Sequence, residues 1–399
     1  MEENKEVENR VTRKRQQVEK KKKSVKFKKS DIKIPEFLKL TKQQLLILSF
    51  IIIVVAICVC VANYDKLGLV LNKNITDDDV IKVDLITSKN KIYPYQNEVL
   101  VCNSEGITTY SKYGKQTWNL ELKGAIDDYI NTNGKYLQII NHDKSLIYIY
   151  KDKYEKARIK VDGTILSGYI NNNGYSVIEY TTTGNKTILA VYDNDGDLKY
   201  NVKLSSNIIG KYVISSDEKY LAYVELNIKG ISVATKVMIV ELKTGSVKTV
   251  HESETSLAYD INFVGNKLIC KLDEEIIIYN LNNDTKKTSN IKDESIVSID
   301  IDDKKYAYSK FENGKYFLGI KIIGGTEKEN VHIKEMPKYF IYNNGNVFVC
   351  YQKNIEVYNS FKKKIKEYES VMIITEPIVF ENGHSTAFLV SNKLVMFSI

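Results

Sequence analysis

The sequence predicts an all-β chain, a β-propeller of eight blades, placed after one N-terminal transmembrane helix. Three observations carry this reading. One long uncharged apolar run lies near the N-terminus, no 3.6-residue apolar period is sustained beyond it, and short apolar strands recur every 37 to 48 residues. That spacing falls in the range of four-stranded propeller blades. With 399 residues, 43% hydrophobic and 27% charged, the bulk has a folded composition, so disorder throughout is excluded.

The first element is a basic tail, residues 1–42. The 58 Lys+Arg against 50 Asp+Glu give a net charge of +8, and the first 43 residues, with 15 basic and 7 acidic side chains, hold all of that excess. The cluster Lys20, Lys21, Lys22, Lys23 sits at its centre. Such a block repels itself, so a solvated, disordered tail is expected.

Residues 43–64 follow without a charge, and Leu45 to Ala62 is almost wholly apolar. About 20 such residues cross a hydrocarbon core of roughly 30 Å. A cleaved signal peptide is the rival reading, with Cys60-Val61-Ala62 as a weak cleavage site. Its apolar region would be only about 7 to 15 residues long, and the preceding tail far shorter. An uncleaved anchor is therefore expected, and no lipid-attachment pattern precedes Cys58 or Cys60. Basic residues beside a span stay in the cytoplasm, which places the N-terminus inside and the C-terminal part outside the cell membrane.

After a linker at 65–79, residues 80–399 form the propeller. The first strand of the repeat reads at Val99-Leu-Val-Cys102, Tyr136-Leu-Gln-Ile-Ile140, Tyr175-Ser-Val-Ile178, Tyr220-Leu-Ala-Tyr-Val224 and Lys267-Leu-Ile-Cys270. It returns at Lys305-Tyr-Ala-Tyr308, Val347-Phe-Val-Cys350 and Thr386-Ala-Phe-Leu-Val390. The next strand ends at Tyr110, Tyr150, Tyr192, Tyr279 and Tyr358. Val80-Ile-Lys-Val-Asp-Leu-Ile86 and Lys91-Ile-Tyr93 belong to no complete unit, and the last unit stops at Met396-Phe-Ser-Ile399. Pairing these N-terminal strands with the last two C-terminal ones in a shared blade would close a ring of eight and leave no open edge. Seven blades result if the unit around Lys305 is absorbed by its neighbour.

The turn Tyr192-Asp-Asn-Asp-Gly-Asp-Leu-Lys-Tyr200 resembles that of quinoprotein-like and WD40-like propellers, where an aspartate and a glycine precede a docking tryptophan. Tyr110-Ser-Lys-Tyr-Gly114 matches it, and Trp118 follows at the docking position; Tyr200 takes that place in the third unit. As a whole the chain is similar to a membrane-anchored, degenerate propeller family of unknown function from low-GC Gram-positive bacteria. Abundant Lys, Asn, Ile and Tyr, with four arginines, agree with AT-rich codon usage.

Candidate sites are few. Cys102, Cys270 and Cys350 lie at equivalent places in units one, five and seven, so buried free thiols are expected. Asp193, Asp195 and Asp197 alternate like calcium ligands, but Gly196 is misplaced and Leu204 stands where an EF-hand needs an acid, so a hairpin turn is expected. Thr76-Asp-Asp-Asp79 and Asp300-Ile-Asp-Asp303 read as solvated turns. His142, His251, His332 and His384 are scattered singly, and no metal, nucleophile-elbow or phosphate-loop motif occurs. The 28 tyrosines read as blade packing, with a glycan- or peptide-binding face as the alternative.

No catalytic, cofactor or metal residue is assigned. The expected function is a non-catalytic binding or scaffolding platform at the cell envelope. Its partners are membrane lipid, through the span and basic tail, and an envelope protein or wall polymer; nucleic acid is not expected. The alternatives are a transmembrane sensor relaying ligand binding to the tail, and an envelope enzyme acting on a glycan or quinone-linked substrate.

Overall fold

A computed structural model describes residues 73–399, apart from 77, 123–128, 184–186, 205–207, 230–231, 293, 295, 301–304 and 327–329. The basic tail and apolar run lie outside the described residues, and no helix among the described residues is long and apolar enough to cross a membrane.

The described chain is an eight-bladed β-propeller. Blades I to VII are antiparallel meanders spanning 91–121, 129–160, 164–204, 208–253, 258–290, 296–333 and 339–369. The unit around Lys305 is a blade in its own right, so the ring has eight blades and not seven. In each blade the first strand lies innermost, and first strands of neighbouring blades pack around the axis.

Blade VIII closes the ring. Three C-terminal strands, Ile374–Val379, Ser385–Val390 and Lys393–Ser398, pair with the N-terminal strand Ile81–Asp84, with Asp84 opposite Lys393 and Ile81 opposite Met396. The expectation of a blade shared by both ends holds, but the division differs: one N-terminal strand joins three C-terminal ones, while Lys91–Tyr95 opens blade I. The propeller also begins earlier than residue 80. Lys73–Ile75 adds a fifth, parallel strand to the outer edge of blade VII, alongside Lys364–Glu369.

The strands expected to be first in each unit are instead the second of each blade. They are buried on both faces, as in Glu98–Cys102 and Asn346–Cys350, so they appear as continuous apolar runs. The core consists of the seams between blades. Cys102, Cys270 and Cys350 are buried free thiols in blades I, V and VII. Tyr95, Tyr306, Tyr308 and Tyr351 are likewise buried, so tyrosine here fills seams. Trp118 sits edge-on to Tyr150 of blade II, ring centroids 5.8 Å apart, in the docking role its position predicted.

Candidate polar wall at the channel mouth

The first strand of each blade enters the ring from one face. Its opening residues line the channel mouth there. Four of these strands slip register near their start: between Ile165 and Ser167, Ile209 and Tyr212, Ala258 and Asp260, and Thr375 and Ile378. A bulge adds a residue to one strand and re-aims the side chains around it. The slips leave Leu166, Lys211, Tyr259 and Glu376 exposed in blades III, IV, V and VIII. Blades I and II contribute Tyr93 and the exposed Tyr129 at the same level.

The wall has two electrostatic halves. On one side Glu376, whose φ is +49°, accepts a hydrogen bond from the Ile92 backbone N–H at 3.2 Å and so ties blade VIII to blade I. Burial pushes the Tyr93 phenol up to about 12, and the neighbouring Cys102, Glu376 and Tyr129 add to the shift. The Tyr93 phenol stays a neutral donor at neutral pH.

Further round, Ser167 donates to Glu179 Oε2 at 2.6 Å and shares a second 2.6 Å bond with the Tyr212 hydroxyl of blade IV. Glu179 is only 9% exposed, and burial raises its carboxyl above the ordinary range although the serine opposes this. Tyr212 is raised further, chiefly by burial. The serine hydroxyl is therefore engaged on both sides as a latch between two blades. No histidine or lysine among its described partners stands ready to take its proton.

On the opposite side Asp260 and Lys271 share blade V, in register across the first two strands. Burial moves both toward neutrality, raising the aspartate and lowering the lysine, and the attraction between them opposes each shift. Asp260 is crowded by the wall yet open to solvent, with Lys211 of blade IV also acting on it. The Lys271 ammonium stands 5.1 Å from the centre of the Tyr259 ring, a cation–π contact. The mouth thus offers phenol donors and a carboxylate on one side, and a Lys/Asp pair beside an aromatic face on the other. This suits a ligand bearing hydroxyl or amide groups.

The residues singled out in sequence lie elsewhere. Asp193 begins a hairpin turn: its Oδ1 accepts the N–H groups of Asp195 and Asp197, and its Oδ2 pairs with Lys199 at 2.6 Å. Burial pushes Asp193 up, but Lys199 and the two N–H groups outweigh it and hold the carboxyl low. Asp195 pairs with Lys156, and Gly196, at φ +88°, supplies the left-handed turn. Asp79 accepts from the Thr76 N–H and hydroxyl in the turn leading into blade VIII. Most of the 300–303 turn lies outside the described residues.

The histidines occupy four different blades. His142 contacts the Ile165 carbonyl, His251 the Lys286 ammonium and His332 the Phe317 ring, while His384 lies in a blade VIII turn. Burial lowers the pKa of His251. No cluster of three metal-ligating side chains occurs among the described residues.

Residues 72–396 match the Family of unknown function (DUF5711), and the chain belongs to it. No curated protein matches. Among solved structures it resembles the Porphyromonas gingivalis dipeptidyl peptidase 4, with a TM-score of 0.55 at 10% identity over 76% of this chain and 56% of that one. It also resembles a eukaryotic initiation factor, with a TM-score of 0.51 at 10% identity over 80% and 84% of the two chains. The Neurospora crassa Pan2 WD40 domain aligns at 0.44 and 8% identity over 81% and 97%. At such identities these likenesses concern the fold alone.

Proposed function

We propose that this member of the family of unknown function is a single-pass, membrane-anchored β-propeller outside the cytoplasm, acting as a non-catalytic binding platform for an envelope protein or wall polymer. The observation that carries the binding role is the channel mouth. Five consecutive blades and the closing blade contribute phenols, an aromatic face and charged groups at one level, while the serine there is latched between blades and not poised for attack. Anchoring and orientation rest on the uncharged run at 43–64 behind a basic tail.

Protease protection on wall-stripped cells tests the topology, with one tag at the N-terminus and another after Ile399. Digestion of the C-terminal tag with survival of the N-terminal tag is expected; protection of the C-terminal tag would place the propeller inside and overturn the reading. For the binding role, cross-linked envelopes should yield a partner with the wild-type chain and markedly less with Tyr129→Ala/Tyr259→Ala. Equal recovery from both would remove the channel mouth from consideration.

A further inference from the structure

We infer that Asn313 is a site of spontaneous covalent modification, at which ring closure onto Gly314 converts the side-chain amide to a carboxylate. Asn-Gly occurs five times in the sequence, at 133–134, 173–174, 313–314, 344–345 and 382–383. In this dipeptide the glycine backbone nitrogen can attack the asparagine side-chain carbonyl, because the following residue has no Cβ to crowd the approach. The attack needs a side chain free to swing, a glycine N–H open to solvent and a backbone able to turn. The fold denies these at four of the sites and leaves them at one.

The four tied sites all lie in turns between the first and second strands, where neighbouring blades interlock. Asn133 Nδ2 donates to the Ile170 carbonyl of blade III at 3.2 Å, and Asn344 Nδ2 to the Asn382 carbonyl of blade VIII at 2.9 Å. Asn173 Nδ2 bonds the Ser216 carbonyl at 2.8 Å and Glu218 Oε1 at 2.9 Å, while the Gly174 N–H donates to the Asn171 carbonyl against the Tyr136 ring. Asn382 Oδ1 accepts the His384 N–H at 2.8 Å, and the Gly383 N–H donates to the Phe380 carbonyl at 2.8 Å.

Asn313 and Gly314 instead tip the hairpin between the second and third strands of blade VI, on the face that carries the channel mouth. They form a two-residue loop with φ of +50° and +77°, closed by Glu312 opposite Lys315. Both are exposed, no hydrogen bond among the described residues holds the Asn313 side chain or the Gly314 N–H, and a Cβ built on Gly314 meets nothing within 4 Å. The Phe311 and Tyr316 rings, 4.7 Å apart, hold the strands below, so only the tip has to move. Gly314 N bonds to Asn313 Cγ, the Cγ–Nδ2 bond breaks, and ammonia leaves with the glycine proton. Water then opens the cyclic imide at either carbonyl, leaving aspartate or isoaspartate at position 313. The new carboxylate stands next to Glu312, which Lys310 holds at 3.4 Å, and adds negative charge to this face of blade VI.

The test incubates the full-length chain in detergent at mildly alkaline pH, native and unfolded in guanidinium, and follows all five sites by peptide mass spectrometry with the aspartyl and isoaspartyl products separated. The tied sites react only through local opening, so conversion at Asn313 at least about ten-fold faster than at the other four is expected in native chain, and within about three-fold of them in unfolded chain. A rate that rises with pH, since the glycine nitrogen must lose its proton, and a mixture of both products are also expected. Native Asn313 reacting no faster than the other four, or not at all, would overturn the inference. Aspartate as the sole product would overturn the cyclic route and with it the role of Gly314.

Discussion

Blade III buries the carboxylate of Glu179 and blade VII partly buries that of Glu367, and the two are held in opposite ways. Glu179 of blade III receives one neutral hydroxyl, from Ser167, and burial wins, so its pKa rises. In blade VII burial also pushes Glu367 up, but Lys364 at 2.6 Å, Lys334 at 2.9 Å and Asn354 at 2.9 Å outweigh it and hold the carboxyl at about 2. Beside it Glu356, 2% exposed, accepts from the Tyr351 and Tyr358 hydroxyls and from Lys364. The difference follows from connectivity. Blade III is one continuous meander held by its own hairpins, so its seam tolerates an uncompensated acid. Blades VII and VIII join segments from both ends of the chain, and there charge-assisted bonds and an aromatic cluster of Tyr368, Phe388 and Phe397 concentrate.

The sharpest way to break this comparison is to lock each blade covalently. A disulfide at Asp84→Cys/Lys393→Cys closes a loop of roughly 300 residues and should stabilise by up to about 5 to 6 kcal/mol; one at Thr181→Cys/Thr187→Cys within blade III should give about 2 kcal/mol. Thermal melts of the detergent-solubilised chain, oxidised and reduced, measure both. Equal gains would mean that the closing seam is not the weak point.

Next in size, Phe388→Ala removes a fully buried ring from the closing seam and should cost about 3 to 5 kcal/mol in denaturant titration. In the seam between blades II and III, Gly168→Ala should cost about 1 to 3 kcal/mol, because a Cβ there would lie 2.4 Å from Ile140 Cδ1 and 2.7 Å from Gln138 Oε1.

The smallest effects are in pH. Glu367 has a depressed pKa, so its contribution is complete above about 4.5 and is lost as pH falls toward about 2; Glu367→Gln should flatten the acid limb of a stability profile. Glu179 has a raised pKa, so the native state binds the extra proton and stability falls as pH rises through the carboxylate range. Glu179→Gln should remove that decline, so that the variant gains stability at pH 7 relative to its parent. Profiles of the two variants with the same slope would show that donor charge does not separate the blades.

Much of the ring was legible because the second and third strands of each blade are apolar on both faces. The first strands carry no such apolar run, because of their position. Asn131, Ser167, Gly168, Lys211 and Asp260 interrupt the apolar alternation where these strands line the channel. The apolar runs therefore frame each unit one strand late while giving its spacing correctly. The polar wall could not be read at all. Each member stands alone in sequence, tens of residues from the next, and the register slips that expose them have no residue signature.

The closing blade also sets an order of events during synthesis. Ile81–Asp84 is made well before its partner Lys393–Ser398, with seven blades between them. At about 5 to 20 residues per second the early strand waits roughly 15 to 60 s for a mate. Throughout that interval the first blade's neighbour is missing and an apolar edge stands open. If the chain is exported, whatever holds it during passage must shield that edge until this six-residue strand arrives.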